Sequence, residues 1–448
     1  MIKFSTTKRR VKRYRRSLAV LLIITLPVLF FSKCIYQDGA GKEDLRGPAY
    51  TGSTACLSCH KNLSDSFVHT AHALTSRIAD LNTVKGSFAP PDNEFVYGPD
   101  REVILQQRDS GLFQAEVVRG KGGGTAWAEE EAHRFDIAVG SGRKAQTFLY
   151  WKGDQAFQLP VSYFVTEHNW ANSPNFPMDH ARFDREINKD CFGCHSSFIK
   201  EKDPVYTNSF HKSDRFDRAQ MIYGIDCERC HGPGAQHAAW QGQHPEDRQG
   251  RYIARYASLS RQQRLDVCAV CHSGLHSLQR SVFKFVPGDS LSNFYSPEMR
   301  IAGPASTMDV HGNQYQLLTA SQCFLKSKTL DCATCHDPHA QERDNLALFS
   351  QRCMTCHTQP ASHPAIGQAR TTTGSPATAP FCRMASTLDA KVLTGNCIDC
   401  HMPARPSRAI TMQTQGQRDP VADLVRSHLI TIYPDETKKF MEARGRGQ

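Results

Sequence analysis

The chain has 448 residues, 40% of them hydrophobic, with a mean hydropathy of −0.48. That is a lean apolar supply for the two or three domains its length suggests. The formal charge of +10 is concentrated at the start: nine Lys and Arg and no acid precede Cys34, and the other 45 bases face 44 acids. A near-neutral body removes the electrostatic footprint expected of a nucleic-acid binder.

Residues 1–33 read as a signal peptide or N-terminal anchor. "KRRVKRYRR" is a basic leader, and "LAVLLIITLPVLFF" (18–31) is an apolar run short for a full membrane span. The segment predicts export to the periplasm or cell envelope, with or without retention as an anchor. Cys34 follows in "FFSKC". Lipid attachment there would need a small residue in place of Lys33, so an unmodified cysteine near a cleavage site is the other reading. Residues 34–50 are expected to be a linker. No other long apolar run follows, which predicts a water-soluble body.

A first haem segment is expected over 51–92, from the motif "CLSCH" at 56–60. The pattern recurs as "CFGCH" (191–195), "CERCH" (227–231), "CAVCH" (268–272), "CATCH" (332–336), "CMTCH" (353–357) and "CIDCH" (397–401). Fourteen of 17 cysteines thus fall in seven C-x-x-C pairs, each followed by His. This is the signature of c-type haem attachment. On a helical turn the two thiols share one face. Each adds to one vinyl group of the same haem, and the adjacent His binds the iron. A zinc site would need no His after each pair. A redox dithiol would need one motif on a βαβ unit rather than seven dispersed copies. The attachment residues are therefore Cys56, Cys59, Cys191, Cys194, Cys227, Cys230, Cys268, Cys271, Cys332, Cys335, Cys353, Cys356, Cys397 and Cys400. The proximal iron ligands are His60, His195, His231, His272, His336, His357 and His401. Covalent haem is assembled outside the cytoplasmic membrane, so export and haem agree. Seven haem c groups would also supply the missing core, and their propionates would make the loaded protein more acidic than its sequence pI of 8.8.

The first two motifs start 135 residues apart. "REVILQQRDSGLFQAEVVRGKGGG" contains two strand-like runs, and "RFDIAVGSGRKAQTFLYWKGDQAFQLPVSYF" three more, punctuated by turn signals. They predict a small antiparallel β subdomain, residues 93–166, inserted after the first haem. Residues 167–448 form the expected six-haem domain. Its loop 366–380 is small and polar, and its tail carries "DLVRSHLITIY", a short strand bearing His428. The fold class expected is mainly α or irregular, with haems as the core.

Electron carriage requires a second axial ligand at each iron. Thirteen histidines lie outside the motifs, enough for complete bis-His ligation. His339 in "CHDPH" and His237 in "CHGPGAQH" are too near their own motifs to reach the far side of the same iron, so each should serve a neighbouring haem. His72, His180, His311, His363 and His428 complete the distal set. Met402 is expected to pack rather than ligate. Cys323 and Cys382 are expected either to bridge, as an oxidising compartment permits, or to remain two buried thiols.

The chain resembles multihaem c-type cytochromes that carry a cytochrome c-552/4-like domain. The resembling stretches are "YTGSTACLSCHKNLSDSFVHTAHA", "VGSGRKAQTFLYWKGDQAFQLPVSYF", "GIDCERCHGPGAQH", "FKFVPGDSL", "SQCFLKSKTLDCATCHDPHA" and "NCIDCHMPA". The resemblance implies periplasmic or surface electron transfer, with His72, His237, His311 and His339 as distal ligands. It also implies a rival, since related proteins reduce nitrogen and sulfur oxyanions. The Cys-x-x-Cys-Lys haem of the nitrite-reductase type does not occur in this sequence.

The reading is a heptahaem cytochrome passing electrons to redox partner proteins, other cytochromes or membrane quinol oxidoreductase modules, with no nucleic acid. Two alternatives stand beside it: an oxyanion reductase with one five-coordinate haem, and a haem-rich structural subunit of an envelope complex.

Overall fold

The computed structural model describes residues 43–120, 125–274, 279–295, 304–357, 382, 384, 387–417 and 419–445. The leader, Cys34, His363 and the loop at 366–380 lie outside the described residues. The chain divides into two units, Met1–Pro48 and Ala49–Gln448. The described part of the first is a turn in which Arg46 Nε donates to Asp44 Oδ1 at 2.8 Å.

The second unit contains β1 (Ser76–Ile78), β2 (Glu94–Gly98), β3 (Arg101–Arg108), β4 (Gly111–Arg119), β5 (Trp127–Arg134), β6 (Ile137–Val139), β7 (Ala145–Lys152) and β8 (Gln155–Gln158). They are followed by β9 (Val161–Phe164), β10 (Asn169–Asn172), β11 (Arg185–Ile187), β12 (Ser196–Tyr206), β13 (Lys212–Tyr223), β14 (Ala404–Thr414) and β15 (Val421–Arg426). Nine strands form one sheet in the order β1-β6-β7-β9-β10-β14-β15, with β8 bridging β7 and β11. β2 to β5 form a four-stranded meander, and β12–β13 a separate hairpin. β14 and β15 return from the far end of the chain to extend the sheet, with Ala171 opposite Thr414.

The reason for the sheet is clearest at β7, "AQTFLYWK". Successive strand residues point to opposite faces. Phe148 and Tyr150 enter one cluster with Phe95, Phe135, Leu105 and Trp170. Leu149 and Trp151 enter another with Ile137, Phe192 and Phe216. Gly153, at φ 65°, supplies the positive φ that the two-residue turn to β8 requires. The second cluster takes in Phe192, inside the second C-x-x-C-H, whose ring stacks on Trp151 at 6.0 Å. The β body therefore holds that motif in place.

The β content exceeds the mainly α or irregular expectation, and the β structure is not confined to a small insert. Strands begin at Ser76 and recur up to Arg426. Those that escape sequence reading lack apolar alternation. β5, "WAEEEAHR", is mostly exposed and gains its place through pairing with β4. β12 and β13 are charged over much of their length. Among the described residues no helix exceeds 12 residues, and most are single turns that carry or flank a motif.

Trp170, 1% exposed, closes the first cluster, and its Nε1 donates to the Ser87 carbonyl at 3.0 Å. Trp170→Ala is expected to cost about 3–5 kcal/mol, read as a lower urea midpoint at unchanged slope.

Candidate cofactor site

Four of the motifs sit on turns started by a local side-chain cap. Asn188 accepts from the N–H groups of Asp190 and Cys191. Asp226 accepts from Arg229 N–H, and Asp331 from Thr334 N–H. Ser260 forms a capping box with Gln263 at the head of the helix Arg261–His272. Where the turn is shortest, the histidine N–H still donates to the first cysteine's carbonyl: His60 to Cys56 at 2.9 Å, His336 to Cys332 at 3.0 Å, His357 to Cys353 and His401 to Cys397 at 3.1 Å.

A helical turn that groups Cys, Cys and His on one face turns the two intervening residues to the other. In the second motif these are Phe192 and Gly193, in the third Glu228 and Arg229, and in the fourth Ala269 and Val270, all buried. Ala269 and Val270 pack with Val282, Phe285, Leu291 and Phe294 in a third cluster.

The reactive faces line one connected cavity of about 4370 Å³. Ordinary ligand pockets hold roughly 300–1,000 Å³. All seven motif histidines line it, with every motif cysteine except Cys191. The space and the donor set fit haem c, with thiols for the vinyl groups and imidazoles for iron.

Four pairs of imidazoles face one another across this space. Ring centres are 6.4 Å apart for His60 and His237, 6.0 Å for His231 and His339, 6.1 Å for His336 and His428, and 6.1 Å for His72 and His272. Two rings on opposite sides of one metal, at about 2 Å from metal to nitrogen, stand about 6 Å apart between centres. His195 faces the field of His311. Burial holds His72, His195 and His428 neutral, with pKa values lowered to about 4. Burial also lowers those of His231, His311 and His336. A neutral imidazole is the form that binds a metal. Nδ1–H of His237 donates to the Arg251 carbonyl at 2.8 Å, and that of His401 to the Thr431 carbonyl at 2.8 Å, which leaves Nε2 free in both.

His339 and His237 each stand with the histidine of another motif rather than their own. His180 joins none of these pairs: it lies outside the cavity, beside Asp179 at 2.7 Å. Imidazole and carboxylate satisfy each other there on an exposed loop. No imidazole faces His357 or His401 among the described residues. Cys323 and Cys382 form no bridge; both are partly buried free thiols. Cys323 lies near Cys335 and Cys356, and Cys382 near Cys400, so each stands beside a different motif.

Cysteines of different motifs also meet. Cys56 lies beside Cys227, Cys194 beside Cys271, Cys268 beside Cys332, and Cys353 beside Cys397. Two positioning residues supply neither thiol nor imidazole. Glu228, 3% exposed, accepts from the N–H groups of Thr51 at 3.1 Å, Gly52 at 2.8 Å and Gly234 at 2.7 Å, and so ties the first haem segment to the third motif. The available signal is an acid between two haem cysteines, where a buried slot demands that it be fully hydrogen-bonded. Gly224, at φ 64°, lies where a Cβ would overlap the Ala73 carbonyl. That close approach lets Ile225 N–H donate to the His72 carbonyl at 2.9 Å.

The family model described as cytochrome c554 and c-prime matches residues 163–232, which include the second and third motifs. The C-type polyheme cytochrome OmcC of Geobacter sulfurreducens is 27% identical over 185 residues, 36% of this chain; the chain spans 21% of that curated relative's length. The crystal structure of the outer cell wall cytochrome OcwA aligns over 87% of this chain and 81% of that one, with TM-score 0.48 and 16% identity.

Gly224→Ala is expected to cost about 1–3 kcal/mol in backbone strain and to move His72 away from His272. Electron paramagnetic resonance of the loaded variant should show one low-spin centre replaced by a high-spin one, with the haem content unchanged.

Proposed function

This chain is a multihaem c-type cytochrome, and on that premise we propose that it is a seven-haem electron carrier of the bacterial cell envelope. Haem c, when bound, supplies reversible one-electron iron chemistry. The chain's residues hold and space it. The seven C-x-x-C-H turns provide two thioether sulfurs and one proximal imidazole each. His237, His72, His339 and His428 provide the second imidazole opposite His60, His272, His231 and His336, and His311 does so opposite His195. At these five positions two imidazoles would leave a bound iron no open position for substrate, which suits a carrier. The observation that carries the reading is the set of four imidazole pairs facing across one cavity at 6.0 to 6.4 Å.

The meeting cysteines support a continuous path. The first motif adjoins the third, the fourth adjoins the fifth, and the sixth adjoins the seventh. Cys230 acts on Cys268, and Cys335 on Cys353, which joins third to fourth and fifth to sixth. The second motif meets the fourth as a side branch. Partners at the ends of such a path are redox proteins, either other cytochromes or quinol oxidoreductase modules. The basic leader supports export. Among the described residues no helix is long and apolar enough to cross a membrane.

A second reading, reduction of a nitrogen or sulfur oxyanion at an open iron, draws on His357 and His401, which have no facing imidazole among the described residues. Counting spins in the fully oxidised protein against chemically determined haem separates the two. All-low-spin haem supports the carrier, and one stoichiometric high-spin haem supports the reductase. His339→Ala, which leaves His231 without its facing ring, should add one high-spin centre to the wild-type spectrum at unchanged haem content.

A further inference from the structure

The buried slot between the two cysteines holds Phe192 and Gly193 in the second motif and Ala269 and Val270 in the fourth. In the third it holds Glu228 and Arg229. Glu228 is accounted for by its three backbone donors. Arg229 is 8% exposed, and a buried guanidinium costs several kcal/mol unless something compensates it. Its Nη2 donates to the Gly193 carbonyl at 3.2 Å, inside the second motif, and its cationic carbon lies 5.8 Å from the Phe283 ring centre. Its Nε has no hydrogen-bond partner among the described residues. The Sγ of Cys271, in the fourth motif, lies 3.9 Å from the same Gly193 carbonyl. The charge of Arg229 acts on Cys194, Cys230 and Cys271, one cysteine from each of the three motifs.

We propose that Arg229 is a fixed positive charge at the junction of the second, third and fourth motifs, and that it raises the reduction potentials of the haems those motifs hold. Adding one electron to an iron lowers its charge by one, so a nearby buried cation favours the reduced form, and a low local dielectric strengthens the effect. The branch point of the path thereby becomes the place where an electron is held most favourably. This inference rests on the seven-haem reading.

The test is an optical redox titration of the haem-loaded protein, with haem counted as the pyridine complex, for wild type, Arg229→Gln, Arg229→Lys and Phe283→Glu. In Arg229→Gln, three of the seven components should move to lower potential by about tenfold in their reduction equilibrium, about 59 mV for a one-electron couple. Arg229→Lys should stay near wild type. Phe283→Glu sets a carboxylate beside the intact guanidinium and should shift the same components downward; it carries the test alone if Arg229→Gln loads haem incompletely. Unshifted curves in the fully loaded variants overturn the inference, as does a Lys variant that behaves like Gln. Free thiols at the second to fourth motifs in wild type would instead overturn the haem reading beneath it.

Discussion

Everything in this molecule depends on one helical turn. Residues i, i+3 and i+4 share a face, and residues i+1 and i+2 share the opposite one. The first set is Cys, Cys and His, and it opens onto the common cavity. In the second, third and fourth motifs the second set anchors the turn in protein. Phe192 reaches the β clusters, Ala269 and Val270 reach the cluster around Phe285, and Glu228 reaches the backbone at Thr51 and Gly52. In the second, third and fourth motifs the residues between the cysteines differ because each of these turns is moored to a different wall.

The sheet is what those walls are made of. β7 feeds apolar side chains to both of its faces, so one cluster closes around Trp170 while the other reaches Phe192. The return of β14 and β15 to the same sheet brings His428, just beyond β15, to His336. A cavity lined by cysteines and imidazoles stands beside these apolar clusters. The short helices follow from this, since a turn that has delivered its two sulfurs and one imidazole has no further surface to bury.

The seven motifs were legible because spacing alone encodes them. The distal partners were only partly legible. That His339 stands beyond the reach of its own motif follows from chain length, but its meeting with His231 depends on tertiary structure. His72 and His272 lie 200 residues apart in sequence and meet through the close approach at Gly224. His180 looked equivalent to them in sequence and differs in lying outside the cavity, beside Asp179. The strand of "WAEEEAHR" was illegible because pairing, not burial, makes it a strand, and the β12–β13 hairpin because charged residues surround its few buried ones, Ile199, Phe216 and Met221. Arg229 was hidden for a related reason: an arginine within a haem motif reads as a solvated side chain until the packing shows it buried.

The central claim is that all seven turns carry haem. The most direct measurement is mass spectrometry of the exported protein, intact and after proteolysis. Seven loaded turns give an intact mass of the processed chain plus seven haems, with each of the seven C-x-x-C-H peptides recovered as a haem adduct. Recovery of any of the seven with two free thiols, from protein matured in a host competent for c-type cytochromes, would contradict it.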